Sequence, residues 1–206
     1  MDAMKSPQIL FITGTDTGVG KTVFAALATV YLRQNGFRVA ALKPLCSGGR
    51  DDARVLHAAA GKVLSLDEVN PRYFRAPLAP VLAARQEKQR VRLREVVTHI
   101  RRVAKRFEVV VVEGAGGLLS PLGEGFDSRD LIEALNATPI IVCSNKLGAV
   151  NQVRLVLEAL PPTTKKLARV VLVNPKQPDA ASRTNLKLLK EFIEPSRLRT
   201  IPWISV

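Results

Sequence analysis

Residues 8–32 have the sequence QILFITGTDTGVGKTVFAALATVYL, in which an apolar run, a glycine-rich turn and a longer apolar segment follow one another. The turn GTDTGVGKT, residues 14–22, lies between a predicted strand and a predicted helix, which is the context that a phosphate-binding loop requires. Gly18 and Gly20 let successive backbone N–H groups point at phosphate oxygens, and the helix N-terminus adds the positive end of its dipole. The stretch therefore predicts a nucleotide site at the start of a helix.

The two residues after Gly20 supply the reactive groups of this loop. Lys21 is expected to contact the β- and γ-phosphates, and the hydroxyl of Thr22 to ligate Mg²⁺. The spacing departs from the common GxxxxGK[ST] pattern, because Thr15 occupies the position of its first glycine. We expect the nucleotide contacts along the whole loop, from residues Asp16, Gly18, Val19, Gly20, Lys21, Thr22 and Val23.

Short apolar runs rich in β-branched residues recur along the chain and predict buried strands. They lie at residues 8–13, 38–43, 108–114, 138–144 and 168–174. Segments of helical period separate them. In the first of these segments one helix face carries Val23, Leu27, Val30 and Tyr31, and Asn35-Gly36 ends the helix. This alternation predicts an α/β fold of P-loop NTPase type, with a mainly parallel sheet, helices on both faces and a single domain over residues 1–206.

The composition is that of a globular protein, with 47% apolar and 24% charged residues. Only two cysteines, Cys46 and Cys143, are present, so neither a disulfide framework nor a paired-cysteine metal site is expected. No stretch approaches the length of a transmembrane helix, and residues 1–6 lead directly into the first strand without an apolar leader. These features favour a cytoplasmic protein that does not interact with membranes.

The sequence can be compared with the signature motifs of two other kinds of P-loop protein. Partition ATPases carry KGGVGKT, whose first lysine reaches the partner subunit's nucleotide, and Asp16 occupies that position in this chain. Small G proteins carry NKxD for guanine, whereas Asn145-Lys146 is followed by Leu147-Gly148 and no carboxylate. Neither signature is therefore present.

Four motifs in this order resemble the dethiobiotin synthetase family. They are GTDTGVGKT (14–22), LKPLCSG (42–48), VVVEGAGGLLSPL (110–122) and KLGAVNQ (146–152). The resemblance implies a mainly parallel sheet of about seven strands and a homodimer with active sites at its interface. It also implies an ATP- and Mg²⁺-dependent ligase of biotin biosynthesis, which joins CO₂ to 7,8-diaminononanoate and yields dethiobiotin, ADP and phosphate.

Such a reaction must bring two anions together, a carbamate formed from the diamine and the γ-phosphate of ATP, which needs fixed positive charge in a site shielded from water. The resemblance gives this role to Lys21 and Lys43, and it makes Thr17 and Ser47 contacts of the substrate amine or carbamate. Thr22 and Glu113 are expected to hold the metal with an adjacent aspartate. The resemblance implies an aspartate before a small residue at a helix start, which matches Asp52-Ala53 better than Asp51, so we choose Asp52; a helix N-cap is the alternative role, which Asp51 could supply.

Three further sets of residues are carried over from the resemblance. Gly114, Ala115, Gly116 and Gly117 would let backbone amides approach the bound ligands. Gly148, Val150 and Asn151 open a helix whose N-terminus would take the substrate carboxylate across the dimer interface, although a plain helix start explains them equally well. Asn174 occupies the place of an adenine-binding asparagine, but Pro175 follows it where the family has a polar residue.

The chain has a net charge of +13, and residues 85–106 hold nine basic residues against two acidic ones. A basic stripe is typical of nucleic-acid binding, yet no aromatic residue is interleaved with this one to stack on bases. A solvated helix face is the favoured interpretation. Two alternatives to the main hypothesis remain open, a partition-type regulatory ATPase that binds nucleic acid and a related ATP-dependent ligase that acts on a different acid.

Overall fold

The structure, a computed structural model, describes residues 6–204 and has a six-stranded parallel sheet at its centre. The strands of this sheet are β1 Gln8–Gly14, β2 Val39–Leu42, β5 Val109–Glu113, β6 Thr138–Ser144, β7 Arg169–Val173 and β8 Leu198–Ile201. They lie in the order β2-β5-β1-β6-β7-β8. Two short strands, β3 Leu45–Ser47 and β4 Arg72–Phe74, form a separate parallel pair.

Helices fill the connections between the strands. They are α1 Lys21–Gln34, α2 Asp51–Ala59, α3 Leu66–Val69, α4 Pro80–Gln86, α5 Leu93–Ala104, α6 Ser128–Leu135, α7 Ala149–Ala159, α8 Pro162–Lys165 and α9 Ala180–Leu189. Every residue of β2 and β5 is buried, so both faces of the sheet are covered there. This agrees with the predicted α/β class, since strands buried on both faces are typical of parallel sheets.

All five predicted strands are present, each within one residue of its predicted ends. The expected count of about seven strands is slightly too high, because the main sheet of the described chain has six. The sixth strand, β8, has the sequence LRTI and two exposed residues, so it lacks the buried apolar run that predicts the other strands of the sheet. The strands β3 and β4 are only three residues long, too short for a periodic signal.

Helix α1 packs on the sheet through small residues. Its buried positions are Lys21, Ala25 and Thr29, whereas Leu27 is 40% exposed and Tyr31 is 65% exposed. The apolar face named from the sequence is therefore not the face that contacts the sheet. Thr29 satisfies its buried hydroxyl by donating to the carbonyl of Ala25, at 2.7 Å.

The register of the sheet brings distant parts of the sequence to one edge. Ile12 pairs with Glu113, and Leu42 pairs with Val112. Lys43, the residue after Leu42, therefore lies beside Glu113, and the glycine-rich loop begins two residues after Ile12. This carboxyl edge is where parallel α/β sheets bind ligands.

Across residues 6–204, no helix has both the length and the apolar character needed to span a membrane.

Candidate active site

The glycine-rich loop is shaped by two left-handed glycines. Gly20, with φ 97°, directly precedes α1, and a Cβ there would lie 3.2 Å from Cγ2 of Val173. Gly18 has φ 72°, with open space around it. The ammonium of Lys21 folds back over the loop and donates to the carbonyl of Asp16 at 2.8 Å. The loop thus presents the start of a 14-residue helix to a neighbouring cavity.

Lys43 and Glu113 form a buried ion pair at the centre of the site. Lys43 Nζ donates to Glu113 Oε1 at 2.6 Å and to the carbonyl of Gly114 at 3.0 Å. Asp52 Oδ2 lies 3.2 Å from the same ammonium. The hydroxyl of Thr22 also donates to Glu113 Oε1, at 2.9 Å. Thr22 of the loop and Lys43, which follows β2, therefore both donate to the carboxylate at the end of β5, and Asp52 of α2 pairs with Lys43.

Burial shifts the proton affinities of this group. Burial raises the pKa of Glu113, and the neighbouring Lys43 ammonium only partly opposes it. For Lys43, burial alone would lower the pKa, but attraction to Glu113 and Asp52 outweighs it, and the pKa is raised. Burial, followed by repulsion from Lys43, lowers the pKa of Lys21 to about 8. The cavity therefore concentrates two ammonium groups in a poorly solvated place.

The oxygen atoms of the site suit a hard cation. Glu113 Oε2 is buried and has no hydrogen-bond partner among residues 6–204, which is costly for a carboxylate oxygen. Asp52 faces the same cavity, whereas Asp51 is turned outward, 89% exposed and paired with Arg54. Within residues 6–204, no group of three His, Cys, Asp or Glu side chains gathers as a metal cage. Two carboxylates, those of Glu113 and Asp52, with the Thr22 hydroxyl fit Mg²⁺, which binds through one or two carboxylates and keeps several waters.

Most of the residues named from the sequence line one cavity of about 910 Å³. Those that line it are Thr17, Gly18, Gly20, Lys21, Thr22, Val23, Lys43, Ser47, Asp52, Glu113, Ala115 and Gly116. The cavity is thus bounded by the glycine-rich loop on one side and by the residues after β2 and β5 on the other.

Other named residues lie outside the cavity lining. Val19 is buried in the core, and the backbones of Asp16 and Gly114 receive the ammonium groups of the two lysines. Gly117 donates its N–H to Ser120 Oγ at 2.8 Å. Asn174 accepts a hydrogen bond from Asn145 at 2.7 Å. The remaining three, Gly148, Val150 and Asn151, lie at the start of α7.

The sequence analysis missed an apolar wall of the cavity. It is formed by Leu45, Cys46, Gly49, Pro77, Leu78, Ala79, Pro80, Ser120 and Pro121. The hydroxyl of Ser47 donates to the carbonyl of Leu78 at 2.6 Å and ties this wall to β3. Leu45, Cys46, Ser120 and Pro121 lie within the motifs at 42–48 and 110–122, whereas the run APLAP at residues 76–80 is typical of a turn and does not indicate a binding surface.

Part of the basic charge is neutralised within the chain. Arg85 pairs with Glu124 at 2.8 Å, and Arg106 pairs with Glu68 at 2.6 Å. Arg101 donates to the carbonyl of Ala134. These contacts connect α4 with the segment around Glu124, and α5 and the residues after it with α3 and α6. They are made by exposed side chains, as expected of a solvated helix face.

A family model described as an AAA domain matches residues 8–206. The chain is 37% identical to the ATP-dependent dethiobiotin synthetase of Akkermansia muciniphila, over 88% of this chain and 85% of that protein. It is 39% identical to the enzyme of the same name from Anaeromyxobacter dehalogenans, over 94% and 89% of the two chains. The Bacillus subtilis protein of this name is 33% identical, over 88% and 81%.

Two solved structures share the fold at low sequence identity. One is a plasmid partition protein of Borrelia burgdorferi bound to AMPPNP, with a TM-score of 0.57 and 14% identity over 98% of this chain and 89% of that one. The other is the signal recognition particle receptor of Elizabethkingia anophelis with GDP, with a TM-score of 0.57 and 13% identity over 97% and 57%. These likenesses support the P-loop NTPase fold.

Proposed function

The chain belongs to the ATP-dependent dethiobiotin synthetase family, and we propose that its cavity performs the carboxylation and ring closure of 7,8-diaminononanoate. The observation that carries this proposal is the position of Lys43. Its ammonium lies in the cavity between Glu113 and Asp52, beside the nucleotide loop. A fixed cation at this point suits a reaction between two anions.

The reaction divides into three steps. One amine of the substrate adds to CO₂ and loses a proton, which gives a carbamate. A carbamate oxygen attacks the γ-phosphorus of ATP and releases ADP, so that a carbamic–phosphoric anhydride forms. The second amine then attacks the carbamoyl carbon, loses a proton and expels phosphate, which closes the ureido ring of dethiobiotin.

Two lysines provide positive charge for the second step. Lys21 would neutralise the β- and γ-phosphates, and Lys43 would hold the carbamate and the transferring phosphoryl group. Of the three contacts that the Lys43 ammonium makes within residues 6–204, the one to Asp52 is the longest, and the Asp52 side chain is half exposed. Lys43 can therefore exchange this contact for a carbamate oxygen while Glu113 continues to hold it. Thr17 and Ser47 would orient the substrate amines.

Thr22, Glu113 and Asp52 would hold Mg²⁺, which when bound neutralises charge on the ATP phosphates. The glycines and Ala115 after Glu113 would bring backbone N–H groups close to the ligands. Asn174 would contact adenine from the end of β7, which packs on the loop through Val173 and Gly20.

The apolar wall fits the hydrocarbon chain of the substrate. Pro77, Leu78 and Pro80 lie in the same cavity as Lys43, so a diamine held at Lys43 can bury its methylene groups against them. The substrate carboxylate would then lie at the far end of the chain, away from Lys43.

A homodimer would complete the site. Gly148, Val150 and Asn151 open α7 outside the cavity of their own chain, and the adjacent Leu147 is 85% exposed. A second copy would present this helix start to the substrate carboxylate. The working compartment is proposed to be the cytoplasm, where the free, buried Cys46 and Cys143 would stay reduced.

The two alternatives differ from this proposal in what they require. A partition-type ATPase would need a cation where Asp16 stands, and the relatives described above are named as synthetases, so this alternative is not favoured. A ligase for a different acid would keep the cation cluster and change the apolar wall.

The test is a direct assay of the purified protein. With MgATP, bicarbonate and 7,8-diaminononanoate, we expect dethiobiotin, ADP and phosphate in equal amounts, measured by mass spectrometry and phosphate release. Omission of the diamine should abolish phosphate release. A folded protein that binds ATP but forms no dethiobiotin would refute the proposal, and product from another diamino acid alone would favour the second alternative.

A further inference from the structure

The backbone of Lys43 is held on both sides by one short segment of chain. Its N–H donates to the carbonyl of Val69 at 2.9 Å. Its carbonyl accepts from Nδ2 of Asn70 at 2.8 Å. Lys43 itself lies between β2 and β3, outside the ladder of either strand. The direction of its side chain therefore depends on residues 69–70, the last residue of α3 and the one after it.

Asn70 is buried, and all its polar atoms are engaged. It is 2% exposed, and Nδ2 donates to the carbonyl of Arg72, at 3.0 Å, as well as to Lys43. Its Oδ1 accepts from Nε of Arg50 at 3.0 Å. Backbone carbonyls only accept and a guanidinium only donates, so the amide has a single orientation.

Arg50 connects this asparagine to the other partner of Lys43. Its Nη2 donates to the carbonyls of Leu66 and Asn70, both at 3.1 Å. Arg50 also directly precedes α2, whose first turn carries Asp52. One guanidinium thus ties the start of α2 to the segment that holds the Lys43 backbone.

We propose that Arg50 and Asn70 are positioning residues that set the distance between Lys43 and Asp52. Neither side chain belongs to the cavity lining in residues 6–204, so they act through Lys43 and not on the substrate. The relevant distance is the 3.2 Å between Lys43 Nζ and Asp52 Oδ2. Displacement of a catalytic group by about 1 Å can cost about 100-fold in rate. This inference rests on the proposed function for its kinetic effect, but not for its geometry.

The kinetic test uses Asn70→Asp and Arg50→Lys. Asn70→Asp keeps the oxygen that accepts from Arg50 and removes the N–H donors to the carbonyls of Lys43 and Arg72. Arg50→Lys keeps the positive charge and removes the guanidinium, whose Nε and Nη2 donate to Asn70 and Leu66. We expect kcat to fall by about 10- to 100-fold in each, with the KM for ATP within about twofold, because the nucleotide loop lies on β1 and α1. Arg197→Lys is the matched control, since Arg197 also donates to two backbone carbonyls, those of Ala168 and Lys165, away from the cavity.

Crystal structures of the two variants test the geometry without any assay. We expect Lys43 Nζ and Asp52 Oδ2 to lie more than 4 Å apart in at least one variant, and to keep their contact in Arg197→Lys. If Asn70→Asp does not fold, Arg50→Lys still tests the inference, because the Arg50 side chain is 20% exposed and its substitution is less disruptive to the core. An unchanged kcat, or a loss equal to that of Arg197→Lys, together with an undisturbed Lys43, would overturn the inference. Wild-type protein without turnover would refute the proposed function, while the crystal structures would still test the positioning.

Discussion

At the scale of single residues, the Lys43–Glu113 ion pair belongs to the proposed active site and also bears on the stability of the fold. A lysine after a strand is usually a solvated side chain whose loss leaves the fold intact. Here its side chain is 5% exposed and its partner's is 1% exposed. Removing one member of a buried pair leaves the other charge without compensation, which destabilises proteins strongly. A substitution of only one member of this pair is therefore expected to affect the stability of the fold as well as turnover.

We expect Lys43→Ala to lower turnover by at least about 100-fold and the free energy of unfolding by about 3 kcal/mol, because Glu113 loses its cation. Steady-state kinetics and urea denaturation measure the two effects. The double variant Lys43→Ala/Glu113→Gln removes the stranded charge and should regain most of the stability but none of the turnover. Normal turnover in Lys43→Ala would exclude this lysine from the mechanism.

At the scale of elements, α3 shows how a four-residue helix is held in place. Ser65 Oγ accepts from the N–H of Glu68 at 3.2 Å, and Glu68 Oε2 accepts from the N–H of Ser65 at 2.9 Å. Arg106, after α5, donates to the same carboxylate at 2.6 Å. A helix this short gains little from its own hydrogen bonds, so its cap and its ion pair fix it. The residues that hold the Lys43 backbone are the last residue of this helix, Val69, and the next one, Asn70.

Hydrogen bonds from Ser65 and Arg106 lower the pKa of Glu68 to about 2. A carboxylate whose pKa is lowered by folding contributes stability above its unfolded pKa, near 4.5, and loses it as the pH falls towards 2. The Glu68 side chain is 35% exposed, so screening limits the effect to about 1 kcal/mol. Glu68→Gln should therefore be less stable than wild type at pH 7, and the two should become nearly equal only when the pH falls to about 2. Urea denaturation at both pH values measures the difference, and a gap that persists at low pH would contradict this account.

At the scale of the whole molecule, the sheet collects charged residues at one edge but leaves the start of α7 outside the cavity. In a homodimer with two-fold symmetry, each cavity can receive α7 from the other copy. The catalytic unit would then contain residues of both chains, although each chain folds around its own sheet.

Mixed dimers test this arrangement. Lys43→Ala and Asn151→Ala are each expected to be impaired, but a dimer with one copy of each regains one intact site. Random exchange should therefore restore about a quarter of wild-type turnover per chain, because half the dimers are mixed and each has one good site of two. Activity is measured after the two variants are unfolded and refolded together, with each refolded alone as control. No recovery in confirmed mixed dimers would place Asn151 in the site of its own chain, or in none.

The sequence by itself determined the nucleotide loop, the five buried strands rich in β-branched residues and the charged residues at their ends. These features are local, since a glycine-rich turn between an apolar run and a helix, or four valines before Glu113, needs no distant partner to be recognised. Five predicted strands lie within one residue of their predicted bounds for the same reason.

Only the tertiary structure decided which side chains meet. Lys43 and Glu113 are 70 residues apart and become neighbours through the register of β2 and β5. Three features gave no periodic signal: residues 77–80 of the apolar wall, strand β8, and the contacts of Arg50 with Asn70. Each involves only a few residues, whose role depends on the parts of the chain that pack against them. The hydrophobic period of a segment indicates which of its residues are buried, whereas the segments that it packs against depend on the fold of the whole chain.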